Sequence, residues 1–141
     1  MRLNLGCTQR ARRMTAEKGK EEATYTVDLI PNTDIALFHW IGPITVRDRF
    51  RNLDVMTDFC REQGLRKLII DGRDQEPRSG EIESFDFGAA VPTAFSGLNV
   101  AVVHRPDDDT LKFIETVAFN RGSGTKAFVD IHQARSWLEG I

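Results

Sequence analysis

From residue 24 onward the chain alternates short apolar runs with longer stretches of helical periodicity. That alternation constrains its fold more than any other feature. Strands separated by helices cross over to pair, so they lie parallel in one sheet with helices packed against it. Thr24 to Ile30 is β-branched and alternating, Pro31-Asn32-Thr33-Asp34 reads as a turn, and Ile35 to Trp40 is apolar. These two runs predict an antiparallel hairpin, with Gly42-Pro43 breaking its second strand.

After the hairpin the period changes. Thr45 is a helix cap. Val46, Phe50, Leu53, Val55/Met56 and Phe59/Cys60 recur at helical spacing and predict the inward face. Arg47, Asp48, Arg51, Asp54, Asp58 and Arg61 make the outward face, with ion pairs three residues apart. Gly64 ends the helix. Leu68-Ile69-Ile70 predicts a strand buried on both faces, closed by a polar loop from Asp71 through Gly80. Residues 81–96 predict a broken helix, because Gly88 and Pro92 interrupt it. Asn99 to Val103 is the next buried strand and ends at His104-Arg105-Pro106. Asp107-Asp108-Asp109 caps a helix with Leu111, Ile114, Val117 and Ala118 inward, closed by Arg121-Gly122. Lys126 to Val129 is the last strand. Asp130, with Gln133 as capping-box partner, opens a final helix whose inward side is Ala134, Trp137 and Leu138. The predicted order is β-β-α-β-α-β-α-β-α, an α/β fold with a mixed, mostly parallel five-stranded sheet and an antiparallel first strand.

Charge divides the chain. Its 141 residues carry a formal charge of −2. Residues 1–22 hold six Lys/Arg and three Asp/Glu, so residues 23–141 are net acidic. An acidic module argues against wholesale nucleic-acid binding. Residues 1–22 read as a flexible basic tail preceding a single domain at 23–141. Met14 would also serve as an initiator, and Arg10, Arg12 and Arg13 would carry a basic-arm reading. The two cysteines, Cys7 and Cys60, are too few for a disulfide framework, and Cys60 reads as a buried thiol. Cys7 has too few residues before it for a lipoprotein leader. With no apolar run long enough to span a membrane, the expectation is a cytoplasmic protein.

The fold pattern resembles a known family. The residues that carry the likeness are the DLIPNTDIALFHWIGPIT hairpin, the KLIIDGRD and NVAVVHRP strands, the FIETVAFNRG helix and the closing KAFVDIHQARSWL. In this order, over residues 23–141, they are similar to the SpoIIAA-like proteins of the STAS/SEC14-like group, related to anti-sigma-factor antagonists. The resemblance implies a non-enzymatic regulatory or protein-binding module. In phosphorylated members a serine lies in an Asp-Ser-Ser-Gly stretch at the start of the second helix. Here the region reads Asp74-Gln75-Glu76-Pro77-Arg78-Ser79-Gly80, without the paired serines. Ser79 is the nearest match and the candidate phosphoacceptor, where a phosphate would add roughly −1.5 to −2 charges near a helix N-terminus.

In an open parallel sheet, ligands favour the crevice beyond the carboxyl ends of the strands. His39, Trp40, Asp71, Arg73, Asp74, His104, Arg105, Asp130 and His132 gather there by sequence position. Histidine with carboxylate suits acid–base or metal chemistry. Helix capping, loop hydrogen bonding and core packing account for the same residues. No H-E-x-x-H, G-x-S-x-G, Walker A or G-x-G-x-x-G pattern occurs. The expectation is therefore no catalytic set, no metal and no cofactor. The candidate partner or ligand surface is Asp71, Arg73, Asp74, Ser79, Phe85, Phe87, Phe95, His104 and Arg105. The expected partner is a protein, including a second copy in a homodimer. The alternative is an apolar or lipid-like small molecule held under residues 85–95 in a SEC14-like pocket.

Overall fold

The hairpin forms as its pattern requires. In the computed structural model, which describes residues 12–15, 24–77, 89–91, 93–108 and 124–141, β2 (Thr24–Leu29) pairs antiparallel with β3 (Ile35–Ile44). Asn32 takes a positive φ of 64° at the turn, a conformation asparagine tolerates better than most residues. Thr33 Oγ1 donates to the Ile30 carbonyl at 2.8 Å and accepts from the Ile35 amide at 3.1 Å, closing the turn.

The sheet then grows in chain order. β4 (Lys67–Pro77), β5 (Asn99–Val103) and β6 (Thr125–Phe128) each pair parallel with the preceding strand. All five predicted strands lie in one sheet. A sixth, β1 (Arg12–Thr15), comes from the stretch read as a tail and pairs antiparallel with β2.

Two strands run further than predicted. β3 passes through Gly42-Pro43 to Ile44. Proline is tolerated there because the β2 partner stops opposite Ile41, leaving no ladder on that side to need its amide. β4 continues through Asp71–Pro77, read from sequence as a loop, because the lengthened β3 keeps pairing with it.

Helix α1 (Val46–Gln63) begins at a capping box. The Asp48 amide donates to Thr45 Oγ1 at 3.2 Å, and Asp48 Oδ2 accepts from the Thr45 amide at 2.9 Å. It ends at Gly64 in the left-handed conformation, φ 70°. The Leu65 amide donates to the Cys60 carbonyl and the Gly64 amide to the Arg61 carbonyl, the paired pattern of a Schellman cap. Leu53, Met56, Phe59 and Cys60 face inward as predicted. Phe50 does not: it is 39% exposed, and Arg49 and Asn52 are buried instead. Arg49 lies four, seven and eleven residues before Leu53, Met56 and Cys60, so helical geometry places it on the buried stripe.

Alternation along the strands divides the core. On the α1 side, Phe38, Trp40, Leu68, Ile70, Val100 and Val102 meet Leu53, Met56 and Cys60. Residues 89–91 and 93–94 are helical, and Val91 and Phe95 pack into that same core. On the other side, Ile35, Ile69, Ala101 and Val103 meet Ala134 and Leu138 of α2 (Ile131–Glu139). Asp130 caps α2 by accepting from the His132 amide at 2.7 Å.

Candidate functional site

A bulge at the carboxyl end of the sheet determines where the polar residues point. His39 pairs with Asp71 and Ile41 with Asp74, so two steps of β3 span three of β4. One extra residue reverses the alternation of β4 beyond it. Asp74 therefore faces the α2 side with His39, and Gln75 turns to the α1 side beneath Arg49.

On the α2 side, His39 Nε2 lies 2.7 Å from Asp74 Oδ2, a partly exposed pair. Asp71, 6% exposed, holds Arg73 through two side-chain hydrogen bonds of 3.0 and 2.9 Å and accepts from the Arg73 amide at 3.1 Å. Burial alone would raise the Asp71 pKa. The Arg73 hydrogen bonds and charge, with His39 adding to them, outweigh burial and hold it below the ordinary carboxylate value. The Asp71 hydrogen bond in turn raises the Arg73 pKa against some desolvation, with Asp74 and Asp130 contributing. The predicted rim residues Asp71, Arg73, Asp74 and His39 are thus one electrostatic group near the α2 cap.

β5 stops pairing opposite Asp71, so the last six residues of β4 overhang it. Arg105 fills part of that gap. Its Nη1 donates to the Arg73 carbonyl and, at 3.0 Å, to the Gln75 carbonyl. A side chain thereby serves alternate carbonyls that a neighbouring strand would otherwise serve. His104 is buried, with Nδ1 2.7 Å from the Arg105 carbonyl.

The α1 side of the same strand end carries a buried network that sequence reasoning missed. Arg49 Nη2 donates to Gln75 Oε1 at 3.0 Å, and Gln75 Nε2 donates to Asp108 Oδ2 at 2.6 Å. Trp40 lies against the guanidinium, 5.1 Å from Cζ to ring centroid, and donates from Nε1 to Asn52 Oδ1 at 2.7 Å. Desolvation lowers the Arg49 pKa to about 10, opposed by the charges of Asp108 and Asp48.

The remaining candidates separate from the rim. Phe95 is packed in the core, 5% exposed. Ser79, Phe85 and Phe87 lie outside the described residues. His132 lines a shallow groove with Lys126, Phe128 and Trp137 on the far edge of the sheet. Among the described residues no group of three or more His, Cys, Asp or Glu is placed to hold a metal ion. No helix there is long and apolar enough to cross a membrane.

The overall fold is similar to that of a solved structure. An uncharacterised DUF3478-family protein from Shewanella loihica PV-4, described as having a SpoIIAA-like fold, superposes with a TM-score of 0.53 at 14% identity. The match covers 86% of this chain and 98% of that one. The chain has a SpoIIAA-like fold. At this identity the likeness establishes the SpoIIAA-like architecture alone. No family model matches the sequence, and no curated protein does.

Proposed function

We propose that this SpoIIAA-like chain is a non-enzymatic regulatory module that binds a protein partner through the overhanging end of β4. The observation that carries this reading is the clustering of exposed charge on a strand end that has outrun its neighbour. Asp74 and the partly exposed Arg73 and His39 stand there in fixed geometry, held by buried Asp71 and by Arg105. Rigid, pre-paired charges on a sheet edge favour specificity and encounter rate. Ser79 follows Pro77 by two residues in the sequence, and a phosphate on it would add roughly −1.5 to −2 charges to this stretch of the chain. Val91 and Phe95 from the apolar segment serve the core, so the charged end rather than a lipophilic pocket supports the assignment.

The test is quantitative affinity capture with the full chain and its Asp74→Arg and Ser79→Ala variants, followed by reconstitution with the purified candidate. Sedimentation of the chain alone tests a second copy as partner. A partner that binds the wild type and is weakened at least tenfold by Asp74→Arg supports the reading. Identical binding by wild type and Asp74→Arg, with no self-association, overturns it.

A further inference from the structure

Arg49 presents an unfinished hydrogen-bonding arrangement. Its side chain has no exposed surface although it belongs to the first turn of a helix. A guanidinium has five N–H donors. Trp40 covers one face, and Gln75 takes a proton of Nη2. Nε and Nη1 are buried and have no acceptor among the described residues. The carboxylates whose charges reach Arg49 are engaged elsewhere. Asp108 Oδ2 accepts from Gln75, and Asp48 accepts from Thr45 and Arg51. Buried donors are nearly always paired, so unpaired ones on a charged group call for an explanation.

We propose that Arg49 anchors a binding site for a small carboxylic acid, independent of the partner surface on β4. Gln75 takes one proton of Nη2, and the other completes a two-pronged edge with either Nε–H or Nη1–H that matches a carboxylate. The donor left over remains for another oxygen of the same molecule. Trp40 stacks on the cation, Asn52 fixes the Trp40 indole, and Gln75 fixes the guanidinium against rotation, so three segments pre-organise one donor edge. Asp108 and Asp48 set the ligand charge. Both lie close enough to act on Arg49, and a dianion would meet two like charges where a monoanionic carboxylate meets the same field at half the cost.

The experiment is thermal unfolding of the full chain at pH 7 in sodium acetate, sodium phosphate and sodium chloride at matched ionic strength. Acetate raises Tm saturably by about 3 °C over chloride, in line with simple linkage. The exposed Arg47→Met variant keeps that gain, and Arg49→Met and Arg49→Lys lose it. The second readout is the Arg49 Nε–H resonance, recognised by its contact with the Trp40 ring, which shifts as acetate is added. This readout decides the question if the Arg49 variants do not fold. Acetate no better than chloride, a gain that survives in folded Arg49 variants, a larger gain with phosphate than with acetate, or an unmoved Nε–H resonance would each overturn the proposal.

Discussion

Replacing Gln75 with leucine tests whether the buried Arg49 network is organised as the geometry indicates. Gln75 is 1% exposed and stands between Arg49 and Asp108, accepting from one and donating to the other. Leucine fills similar space but removes both hydrogen bonds. Each involves a charged group in the interior, worth roughly 1.5–3 kcal/mol, and Arg49 is left without any acceptor. Gln75→Leu should therefore cost about 4 kcal/mol. Arg49→Met behaves differently. Burial lowers the Arg49 pKa to about 10, so keeping the guanidinium charged in the fold costs on the order of 3 kcal/mol. Methionine removes that cost together with the stack on Trp40 and the bond to Gln75, for a net change near zero. The double variant should then be roughly 2–3 kcal/mol more stable than Gln75→Leu alone, because no stranded cation remains. Urea unfolding followed by tryptophan fluorescence measures all four proteins, since Trp40 reports directly on the network. Additive effects, or a Gln75→Leu cost below about 1 kcal/mol, would show that Gln75 does not hold the arginine.

Three further outcomes follow from the same structure. Gly64→Ala should cost about 1 kcal/mol through left-handed strain alone, because an added Cβ meets nothing within 4 Å; calorimetry should find Gly64→Asn milder. Burial pushes the Cys60 thiol from 9.0 up to about 11 against the opposing charge of Arg61. The unfolded chain therefore loses this proton first, and stability should fall on the order of 2 kcal/mol between pH 9 and 11. Urea midpoints should show that loss in wild type relative to Cys60→Ala, and parallel pH profiles would contradict it. Asp71 has a lowered pKa, so the stability it contributes is present above the ordinary value of 3.8 and disappears as pH falls through the lower folded-state value. Asp71→Asn should cost about 1 kcal/mol at pH 7, discounted for the exposure of Arg73. The gap between the two proteins should close in acid.

The sheet was legible because its signals are local and redundant. The apolar runs at 68–70 and 99–103, the Thr45 and Asp130 caps and the Gly64 stop each agree with the crossover order. The candidate site was half legible. Asp71, Arg73 and Asp74 were identified by their place after an apolar strand, but as a loop, because polar residues and a glycine interrupt the alternation there. The bulge causes that interruption: an extra residue in β4 breaks the period of two without ending the strand. The same bulge sends Gln75 to the opposite face, so no pattern in the sequence could join Gln75 to Arg49. Arg49 itself had a readable signal. It shares a helical stripe with Leu53, Met56 and Cys60, yet the sequence reading gives it no place on either face and assigns Phe50 to the core on hydrophobicity. Geometry prevailed because Trp40 and Gln75, brought from β3 and β4, supply a stack and an acceptor that Phe50 could not use. A buried cation is a tertiary fact: its stabilising partners lie 9 and 26 residues away along the chain, and only the register of the sheet brings them together.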